Sequence, residues 1–142
     1  MKNGGRSGSV KTIVLDSQPV IAYFEKAEGW ESVAELLHQA GDGKIDLSMS
    51  VVNWGEVYYV TLREYGEEHA ERVENALKNM PIEIVDADMD LTQIAARLKA
   101  RGGISYADCF AAALAVKKKC EVATGDREFK AVADVADIRW IK

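Results

Sequence analysis

Residues 12–19 read Thr-Ile-Val-Leu-Asp-Ser-Gln-Pro, and this segment is the strongest indication of the fold class. A short β-branched and apolar run is typical of a buried strand. The segment that ends the run places a proline in the first turn of a helix, where its missing N–H breaks no hydrogen bond. A buried strand that leads directly into a helix predicts an α/β fold.

The same alternation continues along the chain. Short strand patterns recur, with helical patterns or Gly-bearing breaks between them. The predicted strands lie at 45–49, 82–85, 121–123 and 138–141, and the main predicted helices at 30–40, 50–65, 67–78, 91–101 and 105–119. Because connections between parallel strands are right-handed, we predict a three-layer α/β/α domain with a mostly parallel central sheet over residues 11–142. Residues 1–10 are rich in Gly and Ser and predict a flexible tail.

Composition excludes several classes of protein. A chain of 142 residues with 48% hydrophobic and 29% charged residues is typical of one globular domain. No apolar run approaches the roughly 20 residues of a membrane span, and the first residues do not resemble a signal peptide. Cys109 and Cys120 should lie roughly 16 Å apart along one helix, which predicts reduced thiols and favours the cytoplasm. Zinc is disfavoured, because there is no Cys-x-x-Cys and neither His38 nor His69 has a suitably spaced ligand.

The net charge of −5 argues against a protein that holds nucleic acid by its overall field. Local basic clusters could still contact phosphates, namely 117–119 or the group Arg97, Lys99 and Arg101. The alternative is that these side chains form a solvated face or balance helix C-termini.

Two acids are predicted at the ends of parallel strands. Asp16 follows the first strand, and Asp126 follows the strand at 121–123 through a Thr-Gly turn. Both should therefore lie at the carboxyl edge of the sheet, where open α/β sheets place their ligand crevice. The alternative for Asp16 is a helix N-cap, and the alternative for Asp126 is an Asx-turn.

Two further acids are predicted on helices. Glu56 shares a helical face with Val52 and Val60, so its carboxylate should point toward the apolar side and need a partner. A salt bridge to a distant basic residue is the alternative. Asp108 precedes a run of buried-type alanines, although it also fits a capping box with Ser105.

Four carboxylates that converge in one cleft repel one another unless a cation neutralises them. Oxygen ligands without His or Cys select Mg²⁺ or Mn²⁺, which can bind a substrate phosphate directly. Hydrolysis of a phosphodiester is the natural chemistry of such a site.

The chain also resembles the PIN-domain nucleases, especially the VapC toxins of type II toxin–antitoxin pairs. The motifs that carry the resemblance are Ile-Val-Leu-Asp-Ser at 13–17, Asn-Trp-Gly-Glu-Val at 53–57, Ile-Ser-Tyr-Ala-Asp-Cys at 104–109, and Thr-Gly-Asp at 124–126 with Phe129. The resemblance implies a PIN fold and a Mg²⁺- or Mn²⁺-dependent endoribonuclease with an RNA substrate.

The resemblance also implies the site residues and partners. The catalytic and metal-binding acids would be Asp16, Glu56, Asp108 and Asp126, with Asp16 and Asp108 as the foremost direct ligands. Thr124 and Ser17 would support them. A homodimer and a small antitoxin protein that occupies the cleft are further implications.

Rival functions remain open from the sequence alone. A dehalogenase-type hydrolase would need an acid where Gln18 stands, and a receiver domain would need a pair of acids at the first strand. A module that only binds RNA or protein would keep the acids as caps and salt bridges. Trp30, Trp54 and Trp140 are expected in the core or at a dimer face. The choice among tRNA, ribosomal RNA and messenger RNA is also open.

Overall fold

The computed structural model describes residues 10–142. Apart from Val10, the predicted N-terminal tail lies outside the described residues. The five strands form one sheet in the order β3-β2-β1-β4-β5, and every neighbouring pair is parallel. The strands are β1 (Lys11–Leu15), β2 (Ile45–Ser50), β3 (Ile82–Val85), β4 (Glu121–Thr124) and β5 (Asp137–Trp140). The predicted α/β fold is confirmed, and the described sheet is wholly rather than mostly parallel.

Helices cover both faces of this sheet. They are α1 (Ser17–Glu25), α2 (Trp30–Gly41), α3 (Val51–Tyr65), α4 (Glu67–Lys78), α5 (Met89–Arg101) and α6 (Tyr106–Lys118), followed by a 3-10 helix at Arg127–Val132. None of the described helices is long and apolar enough to cross a membrane.

The alternation of side chains in β1 divides the core into two parts. Val14 packs with α5 and α6 on one face, whereas Ile13 and Leu15 pack with α1 to α4 on the other. All three side chains are at most 1% exposed. The central strand is therefore buried on both faces, as its unbroken apolar sequence predicts.

Small residues let α6 approach the sheet closely. Its residues 111–115 read Ala-Ala-Ala-Leu-Ala and are all buried. The helix packs on β1, β2 and β4 and also on α5. Ser105 caps it by accepting a hydrogen bond from the backbone N–H of Asp108 at 3.2 Å. Asp108 is thereby held in the first turn, next to the carboxyl ends of the strands.

The buried face of α3 differs from the predicted one. Asn53, Val57 and Thr61 are buried, whereas Glu56 is only half-buried, beside that stripe. Two polar residues lie inside: the Asn53 amide N–H donates to the Ala107 carbonyl at 2.9 Å, and the Thr61 hydroxyl donates to the Val57 carbonyl at 2.8 Å. The Oδ1 of Asn53 has no partner among the described residues. The prediction that Glu56 points into the apolar side was therefore wrong, because hydrophobicity alone placed the buried stripe one residue too early.

Cys109 and Cys120 are free thiols, as expected. Cys109 is fully buried in the core, and Cys120 is half-buried after α6.

Close packing of α6 predicts a strong penalty for a larger side chain. Ala112→Leu should lower the free energy of unfolding by about 1–3 kcal/mol, because the helix has no room to move away from the sheet. Urea denaturation followed by circular dichroism measures this change. Ala96→Leu, at an exposed position of α5, is the matched control and should alter stability little. Equal effects of the two substitutions would contradict the packing described here.

Candidate metal centre

The predicted acids meet where β1 and β4 lie side by side. In the sheet, β1 has β2 on one side and β4 on the other. The connections that follow β1 and β4 therefore run in opposite directions from this point. Such a switch point opens a crevice at the carboxyl ends of the strands. Asp16 follows β1 and Asp126 lies two residues after β4. The two strands are tied together there by a hydrogen bond from the Asp16 N–H to the Ala123 carbonyl, at 3.1 Å.

Asp16 is a buried carboxylate that is only half satisfied. Its side chain is 0% exposed, and its Oδ2 accepts a hydrogen bond from the Thr124 hydroxyl at 2.8 Å. Its Oδ1 has no hydrogen-bond partner among the described residues. The side chain makes no capping hydrogen bond to α1, so the N-cap alternative fails. An unpaired buried carboxylate oxygen is costly, and a cation would satisfy it.

Asp108 is also buried, with 4% exposure. Its backbone N–H donates to the Ser105 hydroxyl, which is one of the two hydrogen bonds of the predicted capping box. The N–H of Ser105 donates instead to the Glu128 carboxylate, at 2.9 Å. Glu128 therefore completes the cap in place of the Asp108 side chain, and the Asp108 carboxylate stays available to the cleft.

Asp126 combines a turn role with a place in the cleft. Its Oδ1 accepts from the Glu128 N–H at 2.9 Å, as the Asx-turn alternative predicts, and its own N–H donates to the Thr124 hydroxyl at 3.0 Å. One carboxylate oxygen from each of Asp108, Asp126 and Glu128 lies within 4.8 Å of the others. Thr124 thus links two of the predicted acids, because it donates to Asp16 and accepts from Asp126.

Glu128 was missed by the sequence reasoning. The only available signal was its position two residues after Asp126 in a turn, and an exposed glutamate in a turn is ordinarily a solvated residue. Only the 3-10 conformation of residues 127–132 brings its carboxylate beside Ser105 and Asp108.

Glu56 reaches the same cleft from α3. The Ser17 hydroxyl donates a short hydrogen bond to its carboxylate, which joins the start of α1 to α3. The cleft has a volume of about 440 Å³. Glu56, Asp108, Asp126 and Glu128 all line it, while Asp16 is buried beside Asp108, whose pKa its negative charge raises. The structure therefore brings all four predicted acids together, with Glu128 as a fifth.

Burial and mutual repulsion raise the pKa values of the two innermost acids. Burial raises the pKa of Asp16 from 3.8 to about 7, although hydrogen bonds led by that of Thr124 act in the opposite direction. Burial also raises the pKa of Asp108 to about 9, and the negative charges of Asp16 and Asp126 add to this shift. Because of these raised pKa values, ionising both carboxylates costs free energy unless a positive charge compensates them.

The residues present fit a divalent cation that prefers oxygen ligands. The lining of the cleft contains carboxylates and hydroxyls but neither His nor Cys. This donor set, together with the unpartnered Oδ1 of Asp16, is compatible with a divalent cation that prefers oxygen ligands.

The raised pKa values predict how stability depends on pH without metal. A carboxyl group whose pKa is raised by folding stabilises the fold below its unfolded pKa and loses that contribution as the pH rises through the folded value. In EDTA, the melting temperature of the wild type should fall as the pH rises from about 4 toward 9. Asp108→Asn removes one of these negative charges. The melting temperature of this variant should therefore rise relative to that of the wild type over the same pH interval.

Thermal denaturation at several pH values in EDTA measures this difference. Asp90→Asn, which removes an exposed acid from the first turn of α5, should track the wild type. A wild type that melts at a higher temperature than Asp108→Asn at pH 8 in EDTA would contradict the repulsion inferred among these acids.

Comparison with known proteins agrees with this geometry. The PIN domain family model matches residues 13–135. No curated protein matches the chain. Among solved structures, VapBC2 from Rickettsia felis, bound to a DNA fragment from its promoter, is similar with a TM-score of 0.72 at 15% identity, over 92% of this chain and 99% of that one. VapC20 from Mycobacterium tuberculosis, a toxin that cleaves the sarcin-ricin loop, has a TM-score of 0.68 at 18% identity, over 84% and 94%.

A third similar structure is FitAcB from Neisseria gonorrhoeae. Its TM-score is 0.65 at 24% identity, over 89% of this chain and 96% of that chain. Identities this low establish a shared fold, while the family match covers most of the chain and includes all four predicted acids. The chain belongs to the PIN domain family.

Proposed function

We propose that the protein is an endoribonuclease that requires Mg²⁺ or Mn²⁺, hydrolyses RNA phosphodiester bonds, and serves as the toxin of a toxin–antitoxin pair. The observation that carries the proposal is the fully buried Asp16 carboxylate, whose Oδ1 has no partner within residues 10–142. A role limited to capping or ion pairing would have left this oxygen hydrogen-bonded.

The ligands follow from burial and position. Asp16 and Asp108 are the proposed direct ligands, because both are buried and their side chains interact. Asp126 and Glu56 reach the same cleft from the other elements and would bind the cation directly or through its water molecules. Glu128 holds the start of α6 in place through Ser105.

The supporting hydroxyl groups orient these acids. Thr124 donates to Asp16 and accepts from the Asp126 N–H, so one side chain sets the position of both acids. Ser17 donates to Glu56 and fixes its carboxylate at the wall of the cleft. Such fixed orientation lowers the cost of assembling the site when the substrate binds.

When bound, the cation would activate a water molecule and stabilise charge on the phosphate and on the leaving oxygen. The residues of this chain hold the acids rigidly on strand ends and helix starts, and the raised pKa values of Asp16 and Asp108 make compensation of their charge favourable. Phosphodiester hydrolysis is the reaction that such a site supports best.

RNA as substrate and a toxin role rest on the family and on similar proteins. The similar structures include a toxin described as cleaving the sarcin-ricin loop and a toxin–antitoxin complex from Klebsiella pneumoniae. We propose by analogy that a small antitoxin protein binds over the cleft, that the chain forms a homodimer, and that it acts in the cytoplasm. A small reading frame next to the gene should encode a protein that co-purifies with this chain and suppresses cleavage.

A catalytically inactive module that binds RNA or protein is the second candidate. It would keep the fold and the cluster of acids but cleave no RNA with any divalent cation.

Substitution of the innermost acids tests the proposal. Asp16→Asn and Asp108→Asn should each lower metal-dependent RNA cleavage by about 100-fold or more, because each removes a proposed direct ligand. Thr124→Val should lower it by about 10–100-fold, since it only releases the orientation of Asp16 and Asp126. The assay is cleavage of total RNA with Mg²⁺ or Mn²⁺, with EDTA as the metal-free arm.

Asp90→Asn is the matched control, because it removes an exposed acid that does not line the cleft. It should cleave RNA as the wild type does. Cleavage that persists in Asp16→Asn, or that proceeds equally in EDTA, would contradict the proposed site. Absence of cleavage by the folded wild type under all conditions would favour the inactive module.

A further inference from the structure

A second groove adjoins the acidic cleft. It has a volume of about 700 Å³ and shares Gln18 with the cleft. The Gln18 side-chain carbonyl accepts a hydrogen bond from the Gly125 N–H at 2.7 Å. This bond fixes Gln18, which lines both the cleft and the groove, to the turn that precedes Asp126. A Cβ at Gly125 would come within 2.9 Å of that carbonyl oxygen, so a larger residue there would displace the Gln18 amide from the turn. The groove thus begins one residue from a proposed metal ligand.

The charge of this groove is opposite to that of the cleft. Arg127, Lys130 and Lys142 line it, with Glu28 as the one acid in its described lining. Arg127 and Lys130 make no ion pair or side-chain hydrogen bond among residues 10–142, although both sit on the 3-10 helix that follows Asp126. Their charge is therefore available to an anionic ligand.

Basic side chains elsewhere are mostly engaged. Four of the six residues in the clusters that the sequence suggested for phosphate contact have partners: Lys117 pairs with Asp88, Lys118 with Glu83 and Arg101 with Asp134, and Lys99 donates to the Ile104 carbonyl. The side chains of Arg97 and Lys119 have none among the described residues. The alternative interpretation of these clusters, as balanced surface charge, fits the structure better. Arg127 and Lys130, by contrast, line the groove that adjoins the cleft.

An exposed aromatic ring completes the groove. Trp140 is 39% exposed, so it does not belong to the core, and it has no ring partner within residues 10–142. It is the register partner of Thr124, the residue that orients Asp16. Adjacent strands lie about 4.8 Å apart, so Trp140 stands one strand away from the proposed metal ligands. An exposed tryptophan flanked by cations is the arrangement that binds an unstacked base and its backbone.

We propose that this groove holds a single-stranded segment of RNA next to the scissile phosphodiester, with a base stacked on Trp140 and phosphates on Arg127 and Lys130. The inference rests on the proposed function and assigns the surface that would hold the substrate beside the metal centre. Single-stranded RNA is favoured over a duplex, because a base can stack on tryptophan only when it has left its own helix.

The groove also accounts for how an acidic protein can hold RNA. The net charge is −5, and the cleft itself concentrates carboxylates, so the field of the whole protein repels a polyanion. Two unpaired cations directly beside the cleft would offset that repulsion where the substrate leaves the metal centre.

Binding can be measured apart from cleavage in the Asp16→Asn background. The probe is a fluorescent single-stranded RNA of about 12 nucleotides, followed by anisotropy in Mg²⁺ at several salt concentrations. Arg127→Gln with Lys130→Gln should weaken binding about tenfold or more and reduce the slope of log affinity against log salt by about 1.4, which corresponds to two lost phosphate contacts.

The stacking role has its own pair of variants. Trp140→Ala should weaken binding about tenfold without changing the salt slope, whereas Trp140→Phe should retain most of the affinity. Lys44→Gln is the matched control for charge, because Lys44 is exposed just before β2, at the opposite edge of the sheet from the cleft. It should bind RNA as the parent protein does.

The outcomes separate this inference from the proposed function. If the wild type cleaves RNA while the doubly neutralised and Trp140→Ala proteins bind it as Lys44→Gln does, the proposed RNA-binding groove is wrong and the nuclease function is upheld. If the wild type cleaves nothing while binding depends on Arg127, Lys130 and Trp140, the groove is upheld and the nuclease function is wrong. Tighter binding of duplex than of single-stranded RNA would also overturn the inference.

Discussion

The carboxylate of Asp16 is buried at the end of the central strand, and the arrangement of the site depends on how that charge is compensated. Thr124 satisfies one of its oxygens from the neighbouring strand, and the other oxygen is left without a partner among the described residues. A neutral residue at this position would cost less in a metal-free protein. The unpartnered oxygen therefore lowers the stability of the metal-free protein, and the proposed cation would offset that cost.

The rest of the fold holds the acids in place despite the free-energy cost of the buried Asp16 carboxylate. A central strand buried on both faces cannot shift without disturbing two cores, and the alanine-rich face of α6 keeps Asp108 close to the sheet. Asn53 further ties α3 to the start of α6 through the Ala107 carbonyl. The acids thus converge from strands and helices whose positions are set by packing, which is how preorganised sites are held.

Much of this could be predicted from the sequence, because the strongest signals are local. The apolar run before Asp16 predicts a buried parallel strand, and acids that follow two such strands must meet at one edge of the sheet. The predicted position of Glu56 was less accurate, because α3 buries two hydrogen-bonded polar residues that hydrophobic periodicity cannot recognise. The contact of Glu128 with Ser105 and the exposure of Trp140 were not predicted, because the first depends on a turn conformation and the second on a position in an edge strand, which no local pattern encodes.

The most direct measurement is a crystal structure of the protein grown with Mn²⁺, analysed by anomalous scattering. We expect an anomalous peak between Asp16 and Asp108, within about 2.5 Å of the Oδ1 of Asp16. A crystal grown with Mn²⁺ that shows no peak at this position, or in which a protein group donates to that oxygen instead, would contradict a metal centre at Asp16.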